Sequence, residues 1–345
     1  GVHRGHGALL EKTAERAREL QAVPTAFTFD RPPKEVVTGQ PVYLINSSRD
    51  RQGLMERLYG IERVVFAPFD RQMMTMSWEE YIGMLLRDYG AVHFVAGHDH
   101  LGHGKSLPEG GTPVYFGEGN TWNTVVDDIY VLHQRIRLWY PDVPLCIMGH
   151  SMGSFLTRTY LIRYPGTVKA AVIMGTGWQS KAVIAGGMAV AKAVGAVVGE
   201  NGTSDLVTNL AFGAYNKLFA PNRTSCDWLS ADEGNVDTYM ADHLCGADAT
   251  VGLFRQMLLG IRFNQKLSNL RQMDPRIPVL FVAGEKDPVG DCGNGVRRTY
   301  QEFRRAGVQD CTLKLYPGLR HEILNEKAQQ QQIFEDIGQW LTSKL

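Results

Sequence analysis

Short apolar runs alternate with longer amphipathic stretches over much of this 345-residue chain. Apolar runs of this length are typical of buried strands, and amphipathic stretches of ten or more residues are typical of helices. The pattern predicts strands at 91–96, 145–148, 170–174, 277–284 and 312–316, with helices at 78–89, 123–140 and 154–164. Two earlier runs, 42–45 and 63–66, are expected to open a mixed sheet. The alternation predicts an α/β fold, with a mostly parallel sheet covered by helices on both faces.

The alternation stops between 179 and 270, where apolar helical stretches follow one another at 182–198, 206–218 and 250–261. Such a block predicts a helical cap inserted over the strand ends, where it would shape a ligand pocket. The domain prediction is therefore an N-terminal helical extension at 1–30, a core made of 31–178 and 271–345, and a cap at 179–270.

The first cap stretch, 182–198, is apolar enough to raise the question of a membrane. Lys192 and several glycines interrupt it, and a spanning helix needs about 20 predominantly apolar residues. Ordinary packing in the cap is favoured, and peripheral contact with a membrane surface through the cap is the alternative.

Composition excludes some classes of protein. Lys plus Arg and Asp plus Glu number 36 each, and the basic residues form no stripe, so no nucleic-acid partner is expected. The five cysteines are scattered without a C-x-x-C pair, which argues against a disulfide framework or a zinc knuckle. No apolar leader is visible in the first thirty residues, and we expect a cytoplasmic protein.

The segment Gly149-His150-Ser151-Met152-Gly153 follows an apolar strand and precedes a predicted helix. It matches G-x-S-x-G, the nucleophile elbow, in which a serine occupies a strained strand-to-helix turn. Glycine is expected at both ends of the pattern because a side chain there would collide with the neighbouring backbone. Ser151 would then lie at a helix N-terminus, where the Met152 N–H can face a developing oxyanion.

An activated serine needs a base and a carboxylate that orients the base, and on this type of fold they follow in the order Ser, acid, His. Asp287 and His321 each come just after a predicted strand, at the sheet edge where ligands bind in open parallel sheets. Glu285 and Asp291 compete with Asp287, but Pro288 fixes the turn beside Asp287. His150 and His133 compete with His321, but His150 adjoins the nucleophile and is expected to point away from it, and His133 lies on a helix before the elbow strand.

The elbow, the loop 99–106, the turn Asp287-Pro288-Val289 and the segment 318–322 together resemble α/β-hydrolases of the monoacylglycerol lipase, lysophospholipase and serine-aminopeptidase-like group. The resemblance runs from about Tyr89 to the C-terminus. It implies Ser151 as nucleophile, Asp287 as the orienting acid and His321 as the base.

The same resemblance implies a serine hydrolase that cleaves carboxylic esters through an acyl-enzyme, without a cofactor or a metal. Its partner would be a small-molecule acyl ester or a lipid. An aminopeptidase-like amidase is the alternative with the same mechanism, and a binding protein with a weak site is the alternative from another class. The sequence leaves acyl length, head group and oligomeric state open.

One departure from the family pattern concerns the oxyanion hole. The family usually carries a His-Gly pair after its third strand, whereas the corresponding stretch here, 64–71, has none. Pro68 has no N–H to donate. The remaining candidates are Phe69 and Asp70, and Phe69 is preferred because a carboxylate beside a developing anion is unfavourable.

Three histidines, His98, His100 and His103, crowd one loop and raise a metal-dependent alternative. Gly102 stands where the binuclear zinc pattern has aspartate, so we expect no metal, and Asp99 and His103 to hydrogen-bond the loop backbone. Asp99 likewise breaks the phosphate-loop pattern that ends in Gly104-Lys105-Ser106. Trp178 and His150 are expected to line the substrate pocket. Trp122 and Trp228 are expected to be packing residues.

Overall fold

The computed structural model describes residues 10, 11, 13–15, 17, 18, 22–31, 47–76, 80, 81, 84, 98–242 and 245–345. Two compact units make up the chain, Gly1–Ala96 and Gly97–Leu345. The boundary falls inside the stretch that the sequence assigned to one core beginning at residue 31. The predicted strands at 42–45 and 91–96 and most of the helix at 78–89 lie outside the described residues.

The first unit contains a two-stranded parallel sheet formed by β1 (Thr25–Phe29) and β2 (Arg63–Ala67). Helix α1 (Ser48–Tyr59) lies between the two strands in the chain, and its N-cap Ser47 forms a reciprocal capping box with Asp50. Such a box satisfies two backbone groups that a helix N-terminus leaves without partners. A short helix, α2 (Arg71–Thr75), follows β2.

Residues of the N-terminal segment pack inside this first unit. Leu10 and Ala14 are buried with Met55 and Ile61 in one small apolar cluster. Strand β1 was not predicted. The predicted strand at 63–66 exists as β2, but it pairs with β1 and, among the described residues, takes no place in the larger sheet.

The second unit is built on a four-stranded sheet in the order β3-β4-β5-β6, with every pair parallel. Its strands are β3 (Cys146–His150), β4 (Ala170–Met174), β5 (Val279–Gly284) and β6 (Cys311–Tyr316). All four agree with predicted strands to within two residues at each end. Parallel strands place their carboxyl ends at one edge, and this edge carries the chemistry described below.

Both faces of this sheet are covered, which explains why its central strands are continuously apolar. Successive side chains of β4 alternate between two clusters, with Ile173 in the larger one and Val172 and Met174 in the smaller one. In β5, Phe281 and Leu280 divide in the same way. A one-residue shift of register would exchange the two sets, so packing fixes the register.

The helices of the second unit alternate with its strands except in the inserted block. They are α3 (Thr121–Trp139), α4 (Met152–Arg163), α5 (Lys181–Val198), α6 (Asp205–Lys217), α7 (Glu233–Ala241), α8 (Val251–Asn264), α9 (Leu267–Leu270), α10 (Asn294–Ala306) and α11 (Gln330–Thr342). Single turns of 3-10 helix occur at Gly104–Ser106, Asp227–Leu229 and Ile323–Asn325.

The last long helix of the predicted cap, α8, is a core helix. It packs against α4 and α3 as well as against α5, and Leu253 and Ile261 belong to the larger apolar cluster. Asn264 is fully buried and donates its Nδ2–H to the Phe155 carbonyl at 2.8 Å. Asn264 thus binds α8 to the helix that follows the serine, and the predicted end of the cap at 270 stays a prediction.

Helix α5 behaves differently. Among the described residues it has the length and composition to cross a membrane, and only 11% of its apolar window is buried. Val197 is 85% exposed and Val183 is 55% exposed. A core helix of this composition would be mostly buried, so α5 presents an open apolar surface.

Candidate active site

Ser151 occupies a sharp turn between β3 and α4, as the elbow pattern predicts. Its backbone has φ 54° and ψ −121°, a conformation that costs a non-glycine residue about 1–3 kcal/mol. The surrounding chain enforces it, because the Ser151 N–H donates to the Met174 carbonyl at 3.1 Å and its carbonyl accepts from the Ser154 N–H at 2.8 Å. These two hydrogen bonds hold Ser151 in a turn that belongs neither to β3 nor to α4.

The two glycines of the pattern have different roles. A Cβ at Gly149 would lie 2.2 Å from the Gly153 carbonyl oxygen and 2.4 Å from Thr157 Oγ1, whereas a Cβ at Gly153 would meet nothing within 4 Å. The expected collision is thus confirmed at Gly149. At Gly153 the expectation was wrong, because the start of α4 leaves that position open.

Asp287 and His321 form a buried pair at the carboxyl edge of the sheet. His321 Nδ1 and Asp287 Oδ2 are 2.9 Å apart, and the two residues are 2% and 0% exposed. The other carboxylate oxygen accepts from the Val289 N–H at 2.9 Å. Asp287 follows β5 and His321 follows β6, which are neighbouring strands. A carboxylate on Nδ1 fixes the ring so that Nε2 is the free basic nitrogen.

The histidine lies beside the elbow. A Cβ at Gly175 would lie 3.0 Å from His321 Cε1 and 3.1 Å from His150 Cδ2, and the preceding residue, Met174, holds the Ser151 N–H. Among the described residues the Ser151 hydroxyl has no recorded hydrogen bond to the imidazole. Catalytic contacts of this kind are often long without substrate and shorten when it binds.

The competing candidates lie in other surroundings. Glu285 and Asp291 are exposed. His133 stacks on Tyr130 with ring centroids 6.0 Å apart, within α3. Of the proposed acids and bases, only Asp287 and His321 form a buried hydrogen-bonded pair in the described part of the chain.

His150 supports the site from the strand side. Its Nε2–H donates to the His321 carbonyl at 3.1 Å. Burial, together with the neighbouring His321, lowers the pKa of His150 to about 4, so the ring is neutral near pH 7. The Nε2–H of His150 is thus used in a hydrogen bond to the backbone. The expectation that His150 lines the substrate pocket stays a prediction.

The tryptophans are arranged differently from the sequence interpretation. Trp228 lies against His321 with ring centroids 5.2 Å apart, although it was expected only to fill space. Trp178, the predicted pocket wall, has the Arg298 guanidinium 5.7 Å above its ring. Trp122 is a core residue that donates Nε1–H to Thr159 at 2.9 Å. No sequence signal distinguishes Trp228, because its position depends on a loop contact 93 residues away along the chain.

The two predicted oxyanion donors have different outcomes. Met152 begins α4, where a first-turn N–H has no partner within the helix. The Phe69 N–H donates to Asp30 Oδ1 at 3.1 Å within the first unit. An oxyanion donor must be free, so the Phe69 assignment is not retained. Asp70 caps α2 by accepting from the Met73 N–H at 2.8 Å.

The histidine loop shows contacts with its own backbone. His103 Nδ1 lies 3.0 Å from the Leu101 carbonyl oxygen, and the Ser106 hydroxyl donates to the Asp99 carbonyl at 2.7 Å. The rings of His98 and His100 are edge to face at 4.8 Å. In the described ranges no group of three or more His, Cys, Asp or Glu side chains is arranged to hold a metal ion.

A cavity of about 590 Å³ lies between α5 and α8. Its lining includes Met188, Lys192 and Arg255. Arg255 forms an ion pair of 2.7 Å with Glu200. None of the residues around Ser151 contributes to this cavity, so it is separate from the site of the predicted chemistry.

A parallel sheet with a strained serine after one strand and a buried acid–base pair after two others defines the α/β-hydrolase class. Comparison with known proteins agrees. The family model described as "Serine aminopeptidase, S33" matches residues 90–328, more than half of the chain, and the chain belongs to this family.

Individual relatives agree with this assignment. A monoacylglycerol lipase of Mycolicibacterium smegmatis is 30% identical over 252 residues, which cover 72% of this chain and 77% of the relative. The crystal structure of a thermostable carboxyl esterase from Bacillus coagulans aligns with a TM-score of 0.68 and 25% identity, covering 76% of this chain and 85% of that one. The chain is therefore an α/β-hydrolase of the lipase and esterase type.

The N-terminal part has a second similarity. The family model described as "FAD synthetase" matches residues 1–109. A bifunctional riboflavin kinase/FMN adenylyltransferase of Pseudomonas fluorescens is 33% identical over 106 residues, which cover 30% of this chain and 33% of that protein. None of the motifs described above indicates this similarity. Phe69 and the stretch 64–71 lie within it and precede the hydrolase match, which explains why the expected His-Gly pair is missing there.

Proposed function

We propose that the chain is a serine hydrolase that cleaves carboxylic esters through an acyl-enzyme, with Ser151, His321 and Asp287 as its catalytic triad. The observation that carries the proposal is the 2.9 Å contact between His321 Nδ1 and Asp287 Oδ2, formed by two buried residues next to the strained serine. Burying a carboxylate and an imidazole costs desolvation free energy. Buried titratable pairs of this kind are typical of sites that transfer protons.

In the proposed reaction the Ser151 oxygen attacks the ester carbonyl while His321 Nε2 accepts the hydroxyl proton. Asp287 stabilises the resulting imidazolium through Nδ1. The tetrahedral oxyanion accepts a hydrogen bond from the Met152 N–H, and the imidazolium then gives its proton to the leaving alcohol. Water repeats the sequence on the acyl-enzyme and releases the carboxylic acid.

The proposed substrate is a monoacylglycerol or a lysophospholipid. The apolar surface of α5 and the similarity to the Mycolicibacterium monoacylglycerol lipase support a lipid chain over a peptide. An amidase with the same triad is the alternative within this mechanism, since the family description names an aminopeptidase.

A catalytically weak hydrolase is a second candidate, and a specific observation favours it. The stretch expected to supply the second oxyanion donor matches a different family. Loss of one such donor costs about 10²- to 10³-fold in turnover. This candidate predicts slow ester hydrolysis through the same serine.

We further propose that the cap touches membrane surfaces through α5, and that the protein works in the cytoplasm. The five cysteines are all free, which supports a reducing compartment. The cap is proposed to comprise α5, α6 and α7, with α8 assigned to the core.

The test is a substrate panel of matched esters and aminoacyl amides, assayed with the wild type, Ser151→Ala and Asp287→Asn. We expect ester hydrolysis in the wild type, no turnover in Ser151→Ala, and a loss of about 10⁴-fold in Asp287→Asn because the imidazole loses its tautomer control. Glu285→Gln is the matched control, as an exposed acid two residues away, and should stay within twofold of the wild type. Preference for aminoacyl amides would favour the amidase, and full activity in Ser151→Ala would refute the proposal.

A further inference from the structure

The imidazole of His321 is covered by a segment from the cap region. This segment, residues 227–231, is called the Trp228 segment below, and it begins with the 3-10 turn Asp227–Leu229. The Trp228 indole lies 5.2 Å from the His321 ring, centroid to centroid, with the planes tilted by 37°. The mechanism above does not use Trp228.

The placement of the indole follows from hydrogen bonds on both sides of it. The residue before the histidine, Arg320, donates Nη1–H groups to the carbonyls of Asp227 and Ser230, the latter at 3.0 Å. The residue after the histidine, Glu322, donates its N–H to the Leu229 carbonyl at 2.7 Å. The two neighbours of His321 therefore hold the carbonyls that flank Trp228.

Further contacts fix the same segment. The Glu326 carboxylate, 3% exposed, accepts from the Ala231 N–H at 2.7 Å. The Trp228 N–H donates to Asn216 Oδ1 at 3.0 Å. The Arg320 guanidinium lies 4.0 Å above the ring of Phe219. These part-buried contacts anchor the segment to the chain that carries and follows the histidine, and to Asn216 on α6.

The imidazole is thus restrained by three groups from different parts of the fold. Asp287 holds Nδ1, the His150 ring lies 4.5 Å away, and Trp228 packs against it. A base that must deliver its Nε2 to a hydroxyl loses rate when its orientation broadens, since a displacement of about 1 Å can cost on the order of 10²-fold.

We propose that Trp228 is a positioning residue for His321, which restricts the orientation of the imidazole and excludes water from it, and that Arg320 fixes Trp228 in place. This inference rests on the proposed hydrolase function and deepens it. It assigns part of the inserted block to the catalytic machinery, so that the Trp228 segment belongs with the histidine loop.

The first experiment compares Trp228→Ala and Trp228→Phe on a short soluble ester. Trp228→Ala should lower kcat about tenfold to a hundredfold with KM within threefold of the wild type, because the base is disordered while ester binding remains. Trp228→Phe should restore kcat to within about threefold, since a ring still packs on the imidazole. Trp340→Ala removes another half-buried indole, on α11, and should leave kcat within twofold.

The second experiment tests the anchor. Arg320→Ala should lower kcat in the same range as Trp228→Ala, and the double variant should cost little more than either alone, because both changes act on one contact. Arg276→Ala, which removes an exposed arginine paired with Asp274, is the control and should be neutral. Thermal unfolding of each variant shows whether it folds. If Arg320→Ala does not fold, the comparison of Trp228→Ala with Trp228→Phe tests the positioning role by itself.

The outcomes separate the two proposals. A wild type that neither hydrolyses esters nor reacts with a fluorophosphonate refutes the hydrolase function itself. An active wild type with Trp228→Ala unchanged in kcat overturns the positioning role. A rise in KM with kcat unchanged would also overturn it, and would make Trp228 a wall of the substrate site.

Discussion

At the scale of single residues, the proposed site depends on one strained backbone position and one buried hydrogen-bonded contact. The strained turn at Ser151 and the positions of Asp287 and His321 could be predicted because each has a local signal: a turn pattern, or a position just after an apolar strand. Their roles as nucleophile, acid and base stay a proposal. Trp228 had no such signal. Its role arises from the pairing of two loops distant in sequence, which no local pattern encodes.

The two elbow glycines provide a matched pair for stability. Gly149→Ala should destabilise the fold by about 1–3 kcal/mol, because its Cβ would overlap the Gly153 carbonyl at 2.2 Å. Gly153→Ala should be neutral or stabilise by up to about 1 kcal/mol, because alanine favours the helix and the position is open. Urea unfolding of both variants measures the difference, and equal effects would contradict the elbow geometry.

His150 links stability to pH. Its pKa is about 4 in the folded protein and about 6.5 when unfolded, so between these values the unfolded state binds more protons. Stability should therefore fall as the pH drops from 6.5 to 4, by about 3 kcal/mol from this residue. Burial also lowers the pKa of His100 to about 4. This residue should therefore add to the loss of stability over the same pH interval.

The check is denaturant unfolding at a series of pH values. His150→Gln keeps an N–H that can donate to the His321 carbonyl but does not titrate, so its stability curve should be flatter than that of the wild type over this range. An identical slope in both proteins would show that His150 is not buried and neutral.

At the scale of elements, the strands of the four-stranded sheet were predictable because burial on both faces makes them continuously apolar. The predicted cap boundary at 270 stays a prediction, since α8 packs against the core helices α3 and α4 and also against α5. A helix such as α8 has the same apolar stripe whether it lies in a cap or in the core. Only its tertiary contacts show which of the two it belongs to. Local patterns also could not predict that the first unit is separate from the second. Its similarity to a second family is not visible in the alternation of apolar and polar positions.

The buried amide of Asn264 tests the assignment of α8. It bridges Thr159 Oγ1 at 2.8 Å and the Phe155 carbonyl at 2.8 Å on the elbow helix. Asn264→Ala should cost about 2–3 kcal/mol of unfolding free energy, because both partners lose a buried hydrogen bond. Asn209→Ala, at an exposed position of α6, should change it by less than about 0.5 kcal/mol. If Asn264→Ala changed the unfolding free energy as little as Asn209→Ala does, the assignment of α8 to the core would be contradicted.

At the scale of the whole molecule, the chain joins a unit similar to FAD synthetases to an α/β-hydrolase unit whose proposed cap exposes apolar side chains. Val197 on α5 and Leu210 on α6 are 85% and 53% exposed. An apolar surface of this kind is suited to a lipid interface, where that area leaves water.

This surface predicts vesicle binding. Val197→Glu combined with Leu210→Glu should weaken binding to phosphatidylcholine vesicles about tenfold or more, since each substitution removes an apolar contribution of about 1.5–3 kcal/mol. Hydrolysis of a short soluble ester should be unchanged. Leu138→Glu on α3, which replaces a leucine that is 80% exposed outside the cap, is the control. Equal vesicle binding by the double variant and the control would contradict membrane contact through the cap.

The central claim is that Ser151, activated by His321 and Asp287, is the nucleophile, and intact-mass measurement after treatment with a fluorophosphonate tests it most directly. The account predicts one covalent adduct per chain in the wild type, located at Ser151 by peptide mapping, with labelling slowed in Asp287→Asn and abolished in Ser151→Ala. A folded wild type that gains no adduct, or an adduct that persists in Ser151→Ala, would contradict it.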